Sequence, residues 1–192
     1  MIMFDFIRTR LRKKNLLKAL TPAPVEENQV QEEQEAVESK EVKSVIVLID
    51  VAELTWKDIR TRALEVFAQR GLSGQVSFIF NEKIDKKTIL TTPPDQTITL
   101  SDMGWSGKPV TDKIPELVSQ KPDVLINLVK DSDFLMEYIV KVSEARYKVG
   151  MKEFATQGYD MLFEDTEETP LSPLESFNAI IDYLDRMEWK VL

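Results

Sequence analysis

Histidine is absent from the 192 residues, and so is cysteine. Without histidine there is no Ser-His-Asp triad, no imidazole general base, no histidine-ligated zinc and no pH switch near neutrality. Without cysteine there are no disulfides, thiolate nucleophiles or thiolate-held metals, and a cytosolic location is permitted. Any catalysis falls to carboxylates, Lys, Tyr, Arg or a bound hard cation. Glycine is scarce at six residues, and none of the six builds a phosphate-cradling pattern. No apolar run approaches the roughly 18–20 residues that a membrane-spanning helix needs. What is present is a hydrophobic fraction of 43%, sufficient for a sizeable core. The length suits one domain with appendages.

Charge is distributed unevenly. Residues 1–20 carry six Lys/Arg against one Asp, or +5, and residues 21–41 carry seven Glu against one Lys, or −6. The remaining 18 basic and 25 acidic residues give −7, which completes the net −8. An acidic body argues against nucleic acid as a partner, since that needs a basic face.

Residues 1–20, from Met1 to Leu20, read as a basic amphipathic helix. Met3, Phe6, Ile7 and Leu11 fall near one face, and the stripe rotates at Lys13–Lys14 before Leu16, Leu17 and Leu20. Basic charges inside the segment and no clean apolar core rule out a secretory signal. Such a helix packs on its own domain or a neighbouring chain, docks on an anionic membrane surface, or stays disordered. Residues 21–43 are rich in Glu and Gln and poor in apolar side chains, which predicts a disordered acidic tether.

A single domain is expected over residues 44–192. Its first strand is the β-branched run Ser44–Ile49, ended by Asp50. A helix over residues 55–70 follows, with Thr55 and Asp58 as a weak capping box and Gly71 as its stop. Strands are then predicted at Gln75–Phe80 and Thr97–Leu100, the latter near a sheet edge, with a helical turn from Asp112 to Ser119. The stretch from Pro122 to Gly150 reads as strand, polar turn, helix and short return strand, Tyr147–Gly150. Gly158–Glu164 reads as another strand. The final helix has the clearest start: Ser172 as N-cap, Pro173 at the first helical position and Glu175 three residues after the cap. Strands alternating with helices predict a doubly wound α/β domain, Rossmann-like or flavodoxin-like. Its sheet is mostly parallel, of five or six strands, with helices on both faces.

Candidate chemistry gathers at the carboxyl ends of two strands. Asp50 closes the first, and Asn127, Lys130, Asp131 and Asp133 lie at or beyond the end of the strand after Pro122. If those strands are neighbours, their ends flank the crevice where doubly wound sheets bind ligands. Asp50 with Asp131 or Asp133 could hold Mg²⁺. The same carboxylates serve equally as helix caps, at about 0.3–1 kcal/mol each. No cofactor, catalytic residue or resident metal is therefore predicted. Gly104-Trp105-Ser106-Gly107-Lys108 fails the phosphate-loop pattern, with two residues between its glycines and Pro109 after the lysine. It reads as a tight turn with Trp105 plugging the domain edge, or as a ligand or partner contact through Trp105 and Lys108. Trp56, Trp105 and Trp189 are candidate partner anchors.

With SVIVLID (Ser44–Asp50), SDMGWSGKP (Ser101–Pro109), PDVLINLV (Pro122–Val129), ARYKVGM (Ala145–Met151) and YDMLFE (Tyr159–Glu164), the chain resembles a small Bacteroidota family known only as a domain of unknown function. The resemblance runs from about Leu11 to the C-terminus. It implies a cytoplasmic protein and brings no activity or site to carry over. The run from Asp123 through ARYKVG is similar, over about thirty residues, to a strand-helix-strand unit in the N-terminal half of heptosyltransferase-like glycosyltransferases. That is an analogy of fold.

Two expectations follow. One is a non-catalytic interaction module whose basic helix, residues 1–20, docks on a protein partner or on the inner membrane surface. The other is a nucleotide or nucleotide-sugar binding protein or enzyme, using the crevice around Asp50 and Asn127.

Overall fold

The computed structural model describes residues 12–20, 40–80, 92–129, 134–151, 158–163 and 171–191. Residues 12–20 are helical (α1). The chain then runs through β1 (Lys40–Glu41), β2 (Ser44–Asp50), α2 (Trp56–Arg70), β3 (Ser73–Phe80) and β4 (Thr97–Thr99). After a 3₁₀ turn (Leu100–Asp102) come α3 (Lys113–Val118), β5 (Val124–Asn127), α4 (Phe134–Val142), β6 (Tyr147–Gly150), β7 (Met161–Leu162), α5 (Pro173–Arg186) and β8 (Lys190–Val191).

Six strands form one sheet in the order β4-β3-β2-β5-β6-β7, with every neighbouring pair parallel. The chain starts at β2, winds outward to β4, returns to the other side of β2 at β5, and winds outward again to β7. This is the strand order of the Rossmann sheet, and its topological switch point lies between β2 and β5. The β-branched run of β2 sits in the middle because only a strand covered on both faces can bury consecutive apolar side chains.

The pleat sends alternate residues of β2 to opposite layers. Val45, Val47 and Ile49 pack with Ile59, Ala63, Val66 and Phe67 of α2 and with Phe177, Ile180, Ile181 and Leu184 of α5. Ile46 and Leu48 pack with Ile114 and Leu117 of α3, with Leu135, Met136 and Ile139 of α4, and with Leu16 of α1.

Local signals act largely as the residues dictate. Gly71 ends α2 at φ 65°. Ser172 and Glu175 form a reciprocal capping box at α5, with Glu175 N–H on Ser172 Oγ and Ser172 N–H on Glu175 Oε2. The capping box expected at Thr55 does not form. Thr55 Oγ1 instead donates to Glu53 Oε1 at 2.9 Å, because a carboxylate two residues upstream outcompetes the helix for the hydroxyl. β7 is shorter than the expected Gly158–Glu164 and occupies the far edge, while β4 is the other edge as expected.

The folded unit also begins earlier than residue 44. β1 pairs antiparallel with β8 in a separate two-stranded ribbon, and Val42 is buried. Glu188 and Trp189, both at φ 53°, reverse the chain after α5 so that β8 can reach β1. Residues 40–43 thus belong to the domain, while residues 21–39 of the expected tether and 1–11 of the expected helix lie outside the described residues.

Below the sheet, Asp123 ties the starts of β2 and β5 together. Its Oδ2 accepts Lys43 N–H at 2.8 Å, Ser44 N–H at 2.9 Å and Ser44 Oγ at 3.1 Å. Ser44 Oγ accepts Asp123 N–H in return at 3.0 Å, and Arg146 stands 3.4 Å from Oδ1. Partial burial alone would raise this carboxyl; the hydrogen bonds from Lys43 and Ser44, with the Arg146 charge, outweigh it and hold the group below the usual carboxylate range.

Candidate functional site

The place to look for a ligand is the carboxyl edge of the sheet at the switch point. β2 and β5 are hydrogen-bonded neighbours, so Asp50 and Asn127 do end adjacent strands, and the pleat turns both toward the α3/α4 layer. Their surroundings differ from those of a phosphate site. In the β2–α2 turn, Asp50 Oδ1 accepts Ala52 N–H at 2.8 Å, and Glu53 Oε1 accepts Thr55 N–H at 3.2 Å. Glu53 N–H returns to Asp50 O and Trp56 N–H to Glu53 O. A phosphate at the start of a helix needs free N–H groups and no negative charge. Here the turn meets its own donors with its own carboxylates, and Leu54 stands at its tip, 96% exposed.

At the end of β5, Asn127 is completely buried. Its Nδ2 donates to Tyr159 Oη at 2.6 Å and its Oδ1 accepts Val129 N–H at 3.0 Å, so both ends of the amide are held by protein. Leu128 and Val129 continue the strand into opposite apolar layers. Tyr159 fits because Gly150, opposite Asn127 in the sheet, has no side chain; a Cβ there would lie 2.5 Å from the tyrosine ring. Burial pushes the Tyr159 hydroxyl well above its ordinary pKa, with only partial relief from the Asn127 hydrogen bond.

The β4–α3 connection crosses this edge. Asp102, buried, accepts Thr99 N–H at 2.7 Å, Thr99 Oγ1 at 2.9 Å and Thr111 Oγ1 at 2.9 Å, which clamps both ends of the connection. Between them Met103 bridges Pro109, Gly104 N–H bonds Lys108 O and Gly107 N–H bonds Gly104 O, each at 2.8 Å. The result is a hairpin with the three-residue loop Trp105-Ser106-Gly107, whose last position is glycine at φ 80°, as such loops require. Its inner side holds α1. Ser106 O accepts Asn15 Nδ2 at 2.9 Å, and a Cβ on Gly107 would lie 2.8 Å from both Arg12 Cγ and the Phe134 ring. Arg12 lies over the Phe134 ring at 4.9 Å, and Leu16 joins the same buried cluster as Met103 and Val129. A connection leaving β4 therefore reaches the first residue of α4, which follows β5, and α1 lies against both.

The six candidate residues thus have separate fates. Asp50 and Asn127 are brought to one edge but are engaged by the protein. Trp105 does not plug the edge: it stands out at the hairpin tip, 62% exposed, because its neighbours Ser106 and Gly107 take the inner side. Lys108 is exposed beside it. Asp131 and Asp133, with Lys130, lie outside the described residues. Of the other tryptophans, Trp56 is half-buried and packs edge-on against Phe78, and Trp189 is buried. Among the described residues no three carboxylates gather to hold a metal ion. Tyr159, Glu53 and Asp102 escaped the sequence reading. Only Glu53, an acidic residue just before a helix start, carried a local signal.

These features define a class: a Rossmann-order α/β domain whose carboxyl edge is covered by its own hairpin and N-terminal helix. The chain matches the family of unknown function DUF6913 over residues 12–185 and belongs to it. That span begins at α1, so the family includes the helix as well as the sheet. No curated protein matches the chain.

Proposed function

We propose that this chain is a non-catalytic interaction module that docks through the outer face of α1 on an anionic membrane surface. The observation that carries the reading is the division of α1 into two faces. Arg12, Asn15 and Leu16 face the domain, while Lys13, Lys14 and Lys18 are exposed together with Leu17 (57%) and Leu20 (43%). Lysines beside exposed leucines are what an interfacial helix uses. The acidic remainder of the chain would turn away from an anionic surface and so orient this end toward it. No described helix is long and apolar enough to cross a membrane, so a contact here would be peripheral.

At about 1 kcal/mol for each basic residue near an anionic surface, three lysines supply about 3 kcal/mol, on the order of 100-fold in affinity. The test is co-sedimentation with phosphatidylglycerol-containing vesicles against pure phosphatidylcholine. The wild type is expected to pellet with the anionic vesicles only, and the triple variant K13E/K14E/K18E to stay in the supernatant. Equal behaviour of the two proteins would refute the reading and leave a protein partner as the remaining occupant of this face.

A second reading, nucleotide or nucleotide-sugar binding, is favoured by the Rossmann strand order alone; the carboxylates of Asp50 and Glu53 and the engaged Asn127 weigh against it. Ligand at about 100 times its dissociation constant adds about 2.7 kcal/mol of stability. A thermal-shift screen with nucleotides, nucleotide-sugars and Mg²⁺ therefore decides it, and an unmoved melting temperature rejects it for those classes.

A further inference from the structure

We infer that the lipid-facing surface extends beyond α1 across the carboxyl edge of the sheet, with Trp105 of the hairpin tip and Leu54 of the β2–α2 turn as its apolar prongs. The inference rests on the membrane reading above and adds to it a second, independent part of the molecule.

Six large hydrophobic side chains are exposed among the described residues: Leu17, Leu20, Leu54, Leu64, Trp105 and Val110. Five of them sit at one end. In an all-parallel sheet, every connection leaving a strand starts from the carboxyl edge, and Leu54 follows β2 while Trp105 and Val110 follow β4. These strands are two positions apart, about 10 Å at the usual spacing. Leu17 and Leu20 belong to α1, which is held against the hairpin through Asn15 and Ser106. Leu64 alone, in the middle of α2, lies elsewhere.

The prongs are held out by built structure. Asp50 and Glu53 close the turn under Leu54, and the Asp102 clamp and the Gly107 conformation fix the hairpin under Trp105. Rigid turns that display a tryptophan or leucine at the tip lose little entropy when the side chain enters an interface. Charge on this end fits an anionic lipid. Lys13, Lys14, Lys18, Lys57 and Lys108 are exposed, against the exposed carboxylates Asp58 and Asp112 and the half-exposed Asp50 and Glu53, so the whole basic excess comes from α1. Tryptophan and leucine interspersed with lysine match the headgroup region, where an indole sits with its ring in the acyl boundary. The five exposed side chains come from three separate segments, α1, the β2–α2 turn and the β4–α3 connection, as a broad, yielding surface would accept.

Fluorescence provides the test in a W56F background, because Trp189 is buried while Trp56 is only half-buried against Phe78 and lies two residues after Leu54 at the same edge. Anionic vesicles with brominated acyl chains are expected to quench the full-length W56F chain, and W56F/W105F is expected to lose that quenching while its circular dichroism stays native. L54S/W105A is expected to lower vesicle affinity roughly tenfold, as loss of buried apolar surface from an interfacial anchor should. If the wild type pellets with anionic vesicles but W56F emission is not quenched, or W56F/W105F is quenched equally, the edge does not enter the lipid. In that case this inference falls and docking through α1 alone stands. If the wild type does not pellet, both fall.

Discussion

Removing the Asp123 carboxylate should loosen the sheet at its base, where it joins Ser44 at the start of β2 to the entry of β5, 79 residues away in the chain. In Asp123→Ala the N–H groups of Lys43 and Ser44 and the Ser44 hydroxyl lose their common acceptor, and Arg146 loses its counter-charge. Hydrogen bonds to a charged group contribute about 1.5–3 kcal/mol each when buried. Here the side chain is about a quarter exposed, and water can reach Lys43 N–H, so the sum is discounted to about 2 kcal/mol. With a urea m-value of about 2 kcal/mol/M, the unfolding midpoint should fall by about 1 M. Asp123→Asn, which keeps the shape and loses the charge, should fall by about half as much.

The pH dependence makes the test sharper. The folded-state pKa of Asp123 is depressed. Its contribution is therefore fully present above the unfolded value of about 4 and is lost as pH falls through the still lower folded value. The gap between wild type and Asp123→Ala should be constant from pH 5 to 7 and narrow below about pH 4. A midpoint shift under about 0.2 M at neutral pH, or a gap that does not narrow in acid, would show that the carboxylate does not tie the two strands.

Two further substitutions probe the covered edge. Gly107→Ala places a Cβ 2.8 Å from Arg12 and Phe134 on a backbone at φ 80°, a conformation that costs a non-glycine residue about 1–2 kcal/mol. Hydrogen exchange at residues 12–20 should accelerate while β2 and β5 stay protected; unchanged protection of α1 would mean that its seat tolerates the methyl group. Tyr159→Phe removes the acceptor of a fully buried amide donor on Asn127, and thermal unfolding should show a loss of about 1–3 kcal/mol. A loss within 0.5 kcal/mol would show that Asn127 Nδ2 finds another acceptor.

Elements whose signals are local were legible in the residues. A continuous β-branched run marked β2, a capping box with proline marked the start of α5, and glycine marked the stop of α2. Alternation of these elements was enough for the doubly wound class. The site was legible only in part. Asp50 and Asn127 were legible as residues at strand ends, and the sheet order makes those ends adjacent, yet whether a carboxylate or amide at such an end meets a ligand or the protein depends on what covers it. For Asn127 that is Tyr159, placed by the missing side chain of Gly150, and for Asp50 it is the N–H of its own turn. Trp105 looked like a plug because a lone tryptophan between glycines usually finishes a core. The hairpin register turned it outward.

The residues by themselves determined the composition-level exclusions, the strand and helix order, and the charge division between a basic N-terminal segment and an acidic body. These follow from side-chain chemistry and from periods of two and 3.6 residues, which act within a few positions of one another. Only the tertiary structure decided that β2 and β5 are neighbours, that residues 40–43 close a ribbon with the C-terminus, and that α1 seats on the hairpin across the carboxyl edge. Each of those is a pairing of segments far apart in sequence, settled by which buried surfaces and hydrogen-bond donors find one another when the chain closes.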